Sequence, residues 1–124
     1  MTPERPGLHP GAPTREQREE AIRRELQRII PLLADLGAQR VILFGSAARE
    51  RIRATSDLDL IVVMETDAPF VERVQRIREA IAPRLSCDVL VYTPEEFEEM
   101  TQSSLLVRQA LREGEVLHEA RSDG

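Results

Sequence analysis

The chain has 124 residues, of which 41% are hydrophobic and 3% aromatic, so it fits one small domain with a lean core. Its formal net charge of -5 is the wrong sign for gripping long nucleic acid by phosphate neutralisation, so no long nucleic acid is expected as a partner. A single cysteine excludes an internal disulfide, and no apolar run approaches the ~18 residues of a membrane span, so no membrane is expected. We therefore predict a cytoplasmic protein.

The two ends of the chain differ from its middle. Residues 1–13 contain 4 of the 8 prolines and no apolar segment, which predicts a disordered tail and not a signal peptide. Residues 119–124 read as a polar tail. The single domain is therefore predicted to span residues 14–118.

The first helix is predicted to begin at Thr14 and to end at Gly37. Thr14 and Gln17 have the spacing of a capping box, apolar residues recur at helical intervals, and glycine is a common helix stop. Pro31 lies inside this stretch and is expected to kink or split the helix.

The remaining elements alternate between apolar runs and amphipathic stretches. Short β-branched runs predict strands, Thr93-Pro94-Glu95-Glu96 is a helix start with a capping box, and Gly114 is a helix stop. The predicted elements are a strand at 41–44, a short helix from Ser46, a strand at 57–63, a helix from Phe70 to before Pro83, a strand at 87–92, a helix from Thr93 or a successor from about Ser103, and a short edge strand at Val116-Leu117. This order predicts an α/β (α+β) fold, a small mixed sheet of three to four strands with helices packed on one face.

Acidic residues interrupt the apolar strands. Asp57 and Asp59 are two residues apart in a strand, so they point to the same face, while Leu58 and Leu60 point to the other. Asp88 stands near the start of the next strand in a similar apolar setting. Charges at such positions are costly unless something compensates them, which favours a functional role.

Three convergent carboxylates repel each other, so they are stable as anions only around a cation. Oxygen ligands favour hard ions, which predicts Mg²⁺, with Mn²⁺ as a substitute. A pair of such ions clamps the attacking and leaving oxygens of an in-line phosphoryl displacement. Asp57, Asp59 and Asp88 are therefore the predicted metal ligands and catalytic residues, with Asp88 the better candidate for taking the proton from an attacking hydroxyl.

Gly45 and Ser46 form a turn between the first strand and the short predicted helix. Glycine lets the backbone approach a phosphate, and a helix start offers free N–H donors to an anion. Arg49, one turn further on, is a candidate bidentate phosphate ligand, although an arginine-rich stretch is often only a solvated face.

These residues resemble the signature of the DNA polymerase β-like nucleotidyltransferase superfamily. In that signature, Gly-Ser is followed after ten residues by Asp-x-Asp, and here Gly45-Ser46 precedes Asp57-Leu58-Asp59 at that spacing. The chain is most similar to the minimal (MNT type) bacterial members, over roughly residues 15–118. The resemblance implies that the three acids bind the metals and that Gly45 and Ser46 bind the triphosphate of ATP.

Many minimal members look like antitoxins whose partner is a HEPN-type ribonuclease toxin. The resemblance implies transfer of AMP from ATP to a hydroxyl, in particular to a tyrosine of such a toxin. Two alternatives stay open: a non-catalytic antitoxin that neutralises by binding, and nucleotidyl transfer to a small molecule. A homo-oligomer is also possible, because so small a domain leaves much of its site uncovered.

Two further expectations concern the neighbours of the acids. Cys87 is predicted to be a small buried hydrophobe on the face opposite Asp88, and not a nucleophile. By strand alternation, Ile61 and Val63 share the face of Asp59, as Leu90 and Tyr92 share that of Asp88. This apolar area is hypothesised to dock a partner protein, a second copy or a nucleotide base.

Overall fold

The computed structural model describes residues 14–44 and 57–120. Within them the chain forms four helices and four strands. These elements are α1 (Arg15–Asp35), β1 (Arg40–Phe44), β2 (Leu58–Val63), α2 (Phe70–Ile81), β3 (Cys87–Tyr92), α3 (Pro94–Ser103), α4 (Leu105–Glu113) and β4 (Glu115–Glu119). The predicted short helix from Ser46 lies outside the described residues.

The strands form one mixed sheet in the order β3-β2-β1-β4. The β1 strand pairs antiparallel with β2 and with β4, whereas β2 pairs parallel with β3. The helix α2 makes the crossover that two neighbouring parallel strands require. The α/β (α+β) fold with a small mixed sheet is confirmed, including the short edge strand after Gly114.

One face of the sheet packs against α1 and α2. Leu58, Leu60 and Val62 of β2 point to this face, as the alternation of the strand predicts. The buried residues of this core are Ile29, Leu33, Ala38, Val41, Leu43, Leu58, Leu60, Val62, Ile77, Ile81, Cys87, Val89 and Val91. This is the larger of the two cores, and it packs against the face of β2 that carries Leu58, Leu60 and Val62.

The other face of the sheet packs against α3 and α4. Phe97 of α3, and Val107 and Ala110 of α4, form a second core with Ile42, Ile61 and Val63 of the sheet. The expectation that helices cover one face only is therefore wrong, because helices lie on both. The hypothesis that this apolar area is a docking surface is wrong for the same reason, since the chain's own helices bury Ile61 and Val63.

The ends of α1 follow the sequence signals. Thr14 and Gln17 form the predicted reciprocal capping box. At the other end Gly37 has a φ of 104°, and the N–H groups of Gly37 and Ala38 bond back to Ala34 and Leu33 at 3.0 Å each, which is a Schellman motif. Pro31 does not split the helix, which continues to Asp35, although proline has no N–H to donate to the preceding turn.

An arginine–glutamate pair ties α2 to the start of α3. The capping box of Thr93 and Glu96 is present as predicted. The Glu96 carboxylate also accepts two hydrogen bonds from Arg73, at 2.7 and 3.1 Å, and Arg73 donates further to the carbonyls of Ala68 and Val91. This Arg73–Glu96 clamp lies at the end of β3 away from Asp88. Because it joins two helices, residue spacing within one helix does not predict it.

Candidate active site

The three predicted acids lie at one end of the sheet. Asp59 is the register partner of Asp88 in the parallel pair of β2 and β3, and neighbouring strands are about 4.8 Å apart. Asp57 immediately precedes β2, two residues from Asp59, so the alternation puts it on the same side. The acids therefore share the face that α3 and α4 cover further along the strands.

The acids differ in exposure. Asp59 is 9% exposed, although its strand is otherwise apolar, whereas Asp57 is half-buried and Asp88 is exposed. Within residues 14–44 and 57–120, no group of three or more histidine, cysteine, aspartate or glutamate side chains is arranged to hold a metal ion. The sheet register brings Asp59 and Asp88 side by side, but the three carboxyl groups do not form a ready-made ligand set.

Backbone hydrogen bonds hold Asp57 beside the start of β3. The N–H groups of Asp57 and Leu58 both donate to the carbonyl of Ser86, each at 3.0 Å. Ser86 is only two residues before Asp88. One carbonyl group thus links the backbones from which all three acids project.

Cys87 lies on the opposite face from the acids and is 3% exposed, which confirms the prediction of a buried hydrophobe. Burial raises the pKa of its thiol to about 11, and the negative charges of Asp88 and Asp59 act in the same direction. The thiol is therefore protonated near neutral pH, which excludes Cys87 as a thiolate nucleophile there.

The predicted phosphate-binding residues Gly45, Ser46 and Arg49 lie outside the described residues. Their neighbour Phe44 is described: it is the last residue of β1 and the register partner of Asp59. In the sequence, Gly45 therefore follows directly after the β1 residue that pairs with Asp59.

Sequence reasoning did not identify a buried carboxylate on the opposite side of the sheet from the acids. Glu25 of α1 is 5% exposed and accepts bonds from Arg28, at 2.8 and 3.0 Å, and from the N–H of Arg84, at 2.6 Å. A charge within the apolar stripe that includes Ile22 and Ile29 is the signal that could have revealed it.

Glu25 makes the stability of the protein depend on pH. The hydrogen bonds from Arg28 hold the pKa of this carboxyl below its ordinary value of 4.5, against the opposing effect of burial. A lowered folded-state pKa contributes stability above the unfolded value, and that stability is lost as the pH falls through the folded value.

We expect the urea midpoint of the wild type to fall between about pH 6 and pH 3, in part because Glu25 becomes protonated. Glu25→Gln removes the titrating group. The urea midpoint of the variant should therefore be lower than that of the wild type near pH 6, and it should fall by less on acidification. Equal acid losses in the two proteins would contradict this assignment.

The sequence comparison establishes the class of enzyme to which this fold belongs. The family model for the nucleotidyltransferase domain matches residues 19–117. The chain therefore belongs to the nucleotidyltransferase domain family and is a nucleotidyltransferase. A search among curated protein sequences gives no significant match.

Solved structures of this fold include a proposed nucleotidyltransferase from Sulfolobus solfataricus, with 20% identity and a TM-score of 0.55 over 73% of this chain and 85% of that one. Two variants of the toxin–antitoxin pair MntA-HpeT match with 20% and 21% identity and a TM-score of 0.41 each, over 85% of this chain and 76% and 75% of theirs. At 20% identity, the likeness to the Sulfolobus solfataricus structure shows the fold alone. Among the described helices, none is long and apolar enough to cross a membrane.

Proposed function

We propose that the chain transfers AMP from ATP to a hydroxyl group in a metal-dependent reaction, and that its acceptor is a tyrosine of a HEPN-type toxin. Membership of the nucleotidyltransferase family supports the transfer of a nucleotide. The observation that carries the site is the pairing of Asp59 with Asp88 in neighbouring parallel strands, with Asp57 two residues before Asp59.

The donor set suits a hard divalent cation. All three side chains offer carboxylate oxygens, the ligands that Mg²⁺ and Mn²⁺ prefer. To share an ion, the carboxyl groups would have to turn toward each other by rotation about χ1, since aspartate has several staggered rotamers on a fixed backbone. Asp57, Asp59 and Asp88 would hold two ions, which supply Lewis-acid stabilisation of charge on the transferring phosphoryl group.

The residues of the chain itself would position the triphosphate and accept the proton of the acceptor hydroxyl. Gly45 and Ser46 would bind the triphosphate next to the acids, since Phe44 is already the partner of Asp59, and Arg49 would add a bidentate contact. Asp88 is the most exposed of the three acids and so the best placed to accept the proton of an incoming hydroxyl group.

The acceptor is proposed from the resemblance to minimal, antitoxin-like members. The exposure of Asp88 agrees with a large acceptor: among the described elements, α3 and α4 cover the apolar end of this face, and Asp88 is exposed at the other. A tyrosine presented on the surface of a folded partner could reach Asp88 at this position.

The test is to incubate the purified protein with Mg²⁺, ATP labelled at the α-phosphate, and the product of the neighbouring gene. We expect the label on the partner, a mass increase of one or more AMP units on a tyrosine, and loss of both when a chelator is present. The label should also disappear when the modified tyrosine of the partner is changed to phenylalanine.

Other outcomes separate the alternatives. Neutralisation of the partner without transfer of label would favour an antitoxin that acts by binding alone. Label on an added hydroxyl compound, with none on the partner, would favour a small-molecule acceptor.

A further inference from the structure

The loop between α2 and β3 leads directly into the acidic site. It begins at Ala82, whose backbone is left-handed with a φ of 41°, and it ends at Ser86, whose carbonyl accepts from Asp57 and Leu58. Because Asp88 follows two residues later, a shift of this loop would change the position of Asp88 relative to Asp57.

Two side chains of α1 hold this loop. The Arg28 guanidinium donates to the carbonyl of Ala82 at 3.1 Å, and the Glu25 carboxylate accepts from the N–H of Arg84 at 2.6 Å. Glu25 and Arg28 also bind each other, and their side chains are only 4% and 25% exposed. A buried charge destabilises the folded state unless all its hydrogen-bond partners are in place. The side chains of this cluster are therefore favourable only in a narrow range of positions.

A further arginine fixes the other side of the same segment. Arg78 of α2 donates to the carbonyl of Cys87, the residue before Asp88. The segment from Ala82 to Cys87 is therefore anchored on α1, on α2 and on the residue next to β2.

We infer that Glu25 is a positioning residue of the active site: together with Arg28 it fixes the loop whose Ser86 carbonyl sets the spacing between Asp57 and Asp88. Glu25 lies on the opposite face of the sheet from the acids and does not touch the substrate. This inference rests on the proposed function, because it concerns the metal-binding role of the acids.

The chain provides a matched control in the Arg73–Glu96 clamp. Glu96, like Glu25, accepts two bonds from an arginine and one from a backbone N–H, but it lies at the far end of β3. Glu25→Gln and Glu96→Gln therefore remove the same kinds of hydrogen bond, from side chains that are 4% and 43% exposed respectively. Only the first should disturb the acids.

The experiment is calorimetric titration of the full chain with the Mn²⁺ complex of a non-hydrolysable ATP analogue, below the unfolding temperature of every variant. We expect both Gln variants to be less stable to urea than the wild type. Affinity for the Mn²⁺ complex should fall about tenfold or more in Glu25→Gln, as for other residues that orient metal ligands, and stay within about twofold in Glu96→Gln. If Glu25→Gln does not fold, Arg28→Lys replaces it: the variant keeps a positive charge for Glu25 but loses the guanidinium Nη2 that donates to both Glu25 and the Ala82 carbonyl. Its affinity should fall to a similar extent.

The outcomes keep the two proposals apart. Wild-type binding that is lost in Asp59→Asn, but is unchanged in Glu25→Gln, would overturn the role of Glu25 and leave the metal site standing. Equal losses of affinity in both Gln variants would also overturn it, since reduced stability would then be the cause. Binding that is as weak in the wild type as in Asp59→Asn would overturn the metal site, and the role of Glu25 with it.

Discussion

Replacement of Gly114 by alanine is expected to destabilise the protein by about 3 kcal/mol or more, because the new methyl group has no space. An added Cβ would lie 2.5 Å from the carbonyl oxygen of Ala110 and 2.5 Å from that of Leu43. Both contacts are backbone atoms, so no side chain can rotate away. Relief would require α4 to move from β1, and urea unfolding at neutral pH measures the loss.

Gly37→Ala is the matched control. Its backbone φ of 104° disfavours a side chain, but beyond its two chain neighbours no atom of residues 14–44 or 57–120 lies within 4 Å of the added Cβ. We expect a loss of about 1 to 2 kcal/mol from conformation alone. Gly114 has an ordinary φ of -84°, so a loss at Gly114 no larger than that at Gly37 would contradict the assignment to steric overlap.

The second large effect is on catalysis. Asp59→Asn should lower the rate of AMP transfer about a thousandfold, since a metal-coordinating carboxylate stabilises the transition state by several kcal/mol. Asparagine keeps the size of the side chain, so we expect the variant to fold. The measurement is the initial rate with labelled ATP and the partner protein, with circular dichroism to confirm the fold.

Asp67→Asn controls for the loss of one negative charge. Asp67 is exposed and lies in the segment after β2, beyond the end of the strand that is remote from Asp59. Its replacement should leave the rate within about twofold, as expected for a solvent-screened charge more than a Debye length of ~10 Å from the site. A loss in Asp67→Asn similar to that in Asp59→Asn would show that the net charge, and not the coordinating carboxylate, determines the rate.

The local structure was predictable where one interaction within a few residues decides it. Thr14 with Gln17, and Thr93 with Glu96, make capping boxes that depend only on spacing. The strand Cys87–Tyr92 was predicted with the same bounds from its short run of β-branched residues. The shared face of Asp57 and Asp59 follows from the same alternation, and the resemblance to a known family pointed to the same acids.

The contacts between distant segments were not predictable in this way. The amphipathic pattern of α3 and α4 shows that each buries one face, but it does not say which side of the sheet receives them. The bond from Arg84 to Glu25 joins residues 59 positions apart, and that from Arg73 to Glu96 joins residues 23 apart. A single sequence contains no period that links such pairs.

The strand β2 belongs both to the core and to the candidate active site, which limits the substitutions that it can accept. All six of its residues are buried, and it lies between two hydrogen-bonded neighbours. Substitutions there would damage folding as well as the proposed chemistry, whereas an exposed residue such as Asp88 can be replaced at a lower cost in stability.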